Sequence, residues 1–140
     1  MTAAEFSLDA RLAADSVAVG VLQLCTVRLQ DDARFPWLLL VPARAGLTEL
    51  FELTPDERAL LIEEAALCGA ALRAVTQCLK INTAALGNMV RQLHVHVIAR
   101  NDSDAAWPGP VWGVGERVPY EAAMRDDLIA RIRSALAMRG

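Results

Sequence analysis

The chain has 140 residues, which suits one domain and leaves little room for a second, and its 54% apolar content can build a core without disulfide staples. The formal net charge is −3, with acids and bases interspersed and no basic tract. That argues against a nucleic-acid or anionic-membrane partner, but not against a small phosphorylated ligand, which needs only a local pocket of donors.

Met1–Asp15 has neither a basic leader nor an apolar run, so no signal peptide is read there; Phe6–Ala14 is a candidate short helix. Charges interrupt every apolar stretch, and none is long enough to span a bilayer. Cys25, Cys68 and Cys78 are odd in number, widely spaced and set among apolar residues. This pattern predicts buried, reduced thiols and a cytoplasmic protein.

Cys25, Val27 and Leu29 alternate with Thr26, Arg28 and Gln30, the period of a half-buried strand. Asp31–Pro36 reads as a turn, and Trp37–Val41 is apolar on both faces, as in a central strand paired with its predecessor. Thr54-Pro55-Asp56-Glu57 is a helix start: a cap, a first-turn proline and a capping-box glutamate. The helix is expected to run to about Leu79, with Glu57, Arg58, Glu63, Glu64 and Arg73 on its wetter side. A strand over Ile81–Leu86, a turn at Gly87-Asn88 and a returning strand over Arg91–Ala99 follow. Asn101–Gly115 reads as loop, and Met124, Leu128, Ile132 and Leu136 mark a C-terminal helix within about 119–138. No repeats or linkers appear. The expectation is a single α+β domain over 1–140, with an antiparallel sheet of about five strands, one long helix and a C-terminal helix.

Both histidines of the chain, His94 and His96, fall in the strand RQLHVHVIAR. Residues two apart on a strand share a face, so Gln92, His94 and His96 are expected to point one way and Leu93, Val95 and Val97 into the core. Three readings compete. The imidazoles are ordinary polar groups on a solvated sheet face; or they are a metal pair, for which no third histidine exists and no carboxylate stands out; or one is a nucleophile toward phosphorus and the other assists. Gly87-Asn88 and Asn82 could supply donors to a phosphate. Arg100, at the strand's far end, is a further candidate donor, although an exposed terminal arginine is more often just solubilising.

The segment Gln92-Leu93-His94-Val95-His96-Val97-Ile98 resembles the signature of the histidine triad (HIT) family, three histidines separated by apolar residues. Asn82…Gly87-Asn88 resembles the family's segment before the triad, DDARFPWLLLVPARAG its N-terminal hairpin, and AWPGPVWG the Trp-Pro-rich endings of some members. The resemblance covers roughly Val21 to Gly115. It implies a HIT-like fold, a homodimer, and a nucleotide hydrolase or nucleotidyl transferase, most simply a hydrolase of acid anhydrides. The bond cleaved would be a phosphoanhydride or phosphoramidate at the α-phosphate of a purine nucleotide or dinucleoside polyphosphate, through a nucleotidyl-histidine, with no cofactor or metal.

By position, the resemblance makes His94 the nucleophile and His96 the contact to phosphate or leaving-group oxygen. It makes Asn88 a phosphate-contacting amide, Asn82 a supporting residue, and Asp31 or Asp32 the ribose contact; turn chemistry is the alternative for the two aspartates. Trp107 and Trp112 could wall the pocket, sit at a dimer contact or simply pack, and Trp37 is expected to be core. The departure is Gln92, where the family has histidine. An amide forms hydrogen bonds but carries no proton charge at neutral pH, so Gln92 is expected to orient its neighbours. That departure also keeps open a non-catalytic nucleotide-binding or regulatory protein on the same fold.

Overall fold

The computed structural model describes residues 5–138, so the ends of the expected 1–140 domain lie outside the described residues. Among them, β1 (Ser16–Val21), β2 (Cys25–Gln30), β3 (Trp37–Pro42), β4 (Lys80–Ala84) and β5 (Val95–Arg100) form one antiparallel sheet in the order β1-β2-β3-β5-β4. Three α-helices accompany it, α1 (Ala10–Ala14), α2 (Pro55–Thr76) and α3 (Ala122–Ala135), with a short 3-10 turn at Leu50–Glu52. The architecture is α+β, as the hairpin and long-helix pattern led us to expect.

Two cores flank the sheet. Leu38 and Leu40 of β3 join Val27, Leu29, Val95 and Val97 beneath Leu61, Cys68 and Leu72 of α2. Trp37, Leu39 and Val41, one residue out of phase, join Leu12, Phe35, Ile98 and Val111 on the opposite face. This is why Trp37–Val41 is apolar at every position: β3 is the middle strand and is buried throughout.

β1 was not expected. Its pairing with β2 shifts between Ala18 and Gly20, a bulge that inserts Val19 and breaks the period of two by which a strand is recognised. α2 starts as read: Thr54 accepts from the Glu57 amide at 3.2 Å, and the Glu57 carboxylate accepts from the Thr54 amide at 3.0 Å. It stops short of Leu79 because Gln77 takes a left-handed conformation (φ 55°) and the Leu79 amide donates to the Arg100 carbonyl at 3.0 Å, opening the β4–β5 ladder. β5 is also shorter than expected, and residues 85–94 form a loop across the sheet end instead of a tight turn at Gly87-Asn88.

The three cysteines are buried and free. Burial pushes the Cys68 thiol up to about 12 and raises Cys25 as well, so both are inert. No helix among the described residues is long and apolar enough to cross a membrane.

Glu64 corrects the reading of α2's wet side. It is buried, and its two carboxylate oxygens accept from the backbone amides of Leu24 and Cys25, each at 2.8 Å. A helix side chain thus caps the β1–β2 turn. Glu64→Ala strands two buried amides and should lower unfolding free energy by about 2–4 kcal/mol in urea titration; a change within 0.5 kcal/mol of zero would show that water replaces the carboxylate.

Candidate active site

The strand alternation delivers the histidines. Val95, Val97 and Ala99 pack under α2, so His96, Ile98 and Arg100 project to the other face. That face is not solvated: the N-terminal segment and the 101–112 loop cover it, and His94 and His96 are each only 5% exposed.

His94 precedes β5. Its Nδ1 lies 2.6 Å from the main-chain carbonyl of Gln92. A carbonyl only accepts, so Nδ1 carries the proton and Nε2 holds the lone pair. Among the described residues no hydrogen bond reaches Nε2, and it is not sealed from solvent. Two concavities, of about 760 and 550 Å³, meet at Gly87, Asn88 and His94. Gly87 makes this junction possible: a Cβ there would stand 2.7 Å from the Val90 carbonyl oxygen and 3.1 Å from Cε1 of His94.

His96 is held at both nitrogens. The Trp37 indole N–H donates to Nδ1 at 3.0 Å, and Nε2 lies 2.9 Å from the Leu86 carbonyl oxygen. An indole is donor-only, so the tautomer must be Nε2–H, donating to Leu86. Trp112 stands edge-on to the ring at 5.0 Å between centroids, and the His94 ring at 4.9 Å. Burial drives the His96 pKa down to about 4, with the neighbouring His94 adding to the shift and the Leu86 bond opposing it.

Residues 11–103 of this chain match the HIT domain family. The chain belongs to the HIT family. Three solved histidine triad proteins resemble it over nearly their whole lengths. One from Sinorhizobium meliloti is 51% identical, with 93% of this chain and 96% of that one covered and a TM-score of 0.91. One from Bradyrhizobium japonicum is 43% identical (95% and 99% covered, TM-score 0.93), and one from Marinobacter aquaeolei 40% (96% and 98%, TM-score 0.92). A comparison with curated proteins finds no significant match.

In this HIT domain several residues sit differently from the sequence reading. The Gln92 side chain does not orient the imidazoles: its Oε1 accepts from the Asp9 amide and its Nε2 donates to the Ser7 carbonyl, both at 2.8 Å. It ties the N-terminal segment down, and what it lends His94 is its main-chain carbonyl. His96, with both nitrogens engaged, offers no free donor to a phosphate. Asp31 and Asp32 line neither concavity. Asp31 accepts from Arg117 (3.0 Å) and the Tyr120 amide (2.9 Å), and Asp32 accepts from Arg34 in its own turn (2.8 and 3.0 Å) and from the Val118 amide (3.4 Å), so the pair ties the turn after β2 to the segment before α3.

Arg100 is not solubilising but buried. It donates to Asp104 (2.7 and 3.1 Å), Asn82 Oδ1 (2.8 Å) and the Gly109 carbonyl (2.8 Å), and its guanidinium lies 5.9 Å from the Trp107 ring. The guanidinium in turn holds the Asp104 carboxyl down to about 2. Asn82 and Trp107 therefore serve this anchor and do not line the pocket, whereas Trp112 does. Asn88 is exposed at the junction of the two concavities. The sequence reading missed Asp15, Gln30 and Trp37 as pocket lining. Gln30 carried a signal, as the last outward residue of the β2 alternation; Asp15 carried none. Among the described residues no cluster of three His, Cys, Asp or Glu side chains could hold a metal ion.

The His96 shift has a stability consequence. The folded protein keeps this imidazole neutral down to about pH 4, whereas an unfolded histidine takes up a proton near pH 6.5. Between these values the unfolded chain binds more protons. Stability is therefore full above the higher value and falls as pH drops toward the lower, by roughly 3 kcal/mol. Urea midpoints measured across that window should show the fall, and His96→Asn should flatten it. An equal slope in the variant would assign the titration to another group.

Proposed function

We propose that this protein is a nucleotide hydrolase or nucleotidyl transferase that cleaves a phosphoanhydride or phosphoramidate bond at the α-phosphate of a nucleotide. The observation that carries the reading is the unpartnered Nε2 of His94, with its tautomer set from behind by the Gln92 carbonyl, opening where two concavities meet. A neutral imidazole so held is a good nucleophile near neutrality and a good leaving group afterwards. A purine nucleoside fits the sheet-face concavity, with Trp112 and Gln30 among its walls, and the leaving group fits the other, beside Arg91. Asn88 and the 87–88 backbone stand where donors to the phosphate are needed. No metal or cofactor enters this scheme, and three buried free thiols suit a reducing cytoplasmic compartment.

Rapid quench with a labelled nucleotide substrate should trap an acid-labile, base-stable adduct on His94, and exhaustive chelation should leave turnover intact. His94→Ala should lose at least about a thousandfold in kcat. Tight nucleotide binding with no adduct and no turnover would establish the competing reading, a binding or regulatory protein.

A second copy of the chain fits the β4 edge. Among the described residues β4 pairs only with β5, and beside it a groove lined by Ile62, Ala66, Gly69, Ala70 and Ile81 runs between α2 and the strand, with Ile62 64% exposed. An unpaired strand edge next to apolar surface favours pairing. Light scattering at micromolar concentration should give the dimer mass, and Ile62→Glu should give the monomer mass; a wild-type monomer would reject the assignment.

A further inference from the structure

A group that departs from phosphorus carries an electron pair, and unless it is stable as an anion it needs a proton as it leaves. Of the three positions of the triad signature, none can give that proton here. Gln92 is an amide, with both ends of its side chain bonded to the N-terminal backbone. The Nδ1–H of His94 faces the Gln92 carbonyl, away from its nucleophilic nitrogen. His96 holds one proton, on Nε2, already donated to Leu86; a second would have to enter at Nδ1, where the Trp37 N–H points straight at the lone pair. Burial adds to the same refusal. The other ionisable groups at the two concavities are Asp15, Glu49 and Arg91. Among the described residues no further histidine, and no cysteine, tyrosine or lysine, lines either concavity.

We infer that this site releases nucleotidyl groups only from substrates whose leaving group departs as a stable anion, such as the polyphosphate of a nucleoside polyphosphate, and that it rejects alkylamine phosphoramidates. The inference rests on the proposed nucleotidyl transfer and narrows its substrate class. In the first step the Nε2 lone pair of His94 bonds to the α-phosphorus, and the bond to the bridging oxygen breaks with its electron pair leaving on the polyphosphate. The positive charge left on the imidazole is shared through Nδ1–H with the Gln92 carbonyl. In the second step water oxygen bonds to phosphorus, the N–P pair returns to Nε2, and the water proton passes to solvent. No proton from the protein is needed for an anhydride. An alkylamide nitrogen could not leave by this route without one.

Trp37 is then a positioning residue that sets the leaving-group range by fixing the state of His96. The test measures kcat/KM for adenosine 5′-phosphate esters of p-nitrophenol and of phenol, and for the butylamine phosphoramidate of the same nucleotide. The wild-type protein should prefer the p-nitrophenyl ester over the phenyl ester by at least about a hundredfold and leave the phosphoramidate untouched. Trp37→Phe, which removes the indole donor but keeps an aromatic ring, should narrow the gap between the two esters at least tenfold, a change that general loosening of the core would not produce. Esters cleaved at similar rates, or a phosphoramidate cleaved as fast as the p-nitrophenyl ester, would overturn the inference while an adduct on His94 upheld the transfer reaction. No adduct and no turnover with any ester would overturn both.

Discussion

Every residue of β5 is buried, with a helix-backed core under one face and the His96 imidazole on the other. A slip of one residue would drive His96 beneath α2 and lift Val95 and Val97 into the pocket. The strand therefore has one register, fixed by pairing with β3 on one side and β4 on the other. Around this fixed strand the remaining parts of the site are hung: the 85–94 loop on the Leu86 carbonyl, the N-terminal segment on the Gln92 amide, and the 101–112 loop on Arg100.

The polar side chains buried in that arrangement are all bonded. Arg100 shows how much one such group organises. Its charge is met by Asp104, and its remaining donors reach Asn82 on β4 and Gly109 in the loop, so strand, edge and loop meet at one guanidinium. A buried charge left without these partners would cost several kcal/mol, so the network has to form as a unit. The loop it anchors places Trp112 against His96. The geometry of His96, the neighbour of His94, is thus controlled from the far end of the same strand.

Much of this was legible in the residues. Alternation located β2 and the inward face of β5, the unbroken apolar run located the central strand, and Thr54–Glu57 located the start of α2. What escaped depended on contacts between distant segments. β1 was hidden by a bulge, whose extra residue destroys the local period. Glu64 looked solvated because its partners, the amides of Leu24 and Cys25, lie some forty positions upstream. Asp31 and Asp32 resembled ligand contacts because the composition of a turn does not show that residues 117–120 return to cover it. Gln92 was read as part of the histidine strand, but it lies in the loop just before β5, and its partners at Ser7 and Asp9 lie more than eighty positions away. Trp37 was readable as core and unreadable as a donor, since only the pairing of β3 with β5 brings its indole to His96.

The hydrogen bond behind the His94 ring ends on a peptide oxygen. Every amino acid supplies that oxygen, so replacing residue 92 leaves the orientation and tautomer of the His94 ring as they were, provided the backbone keeps its path. Two inheritances are separated at a single position. The main chain holds the imidazole, and the side chain holds the segment that lies across it.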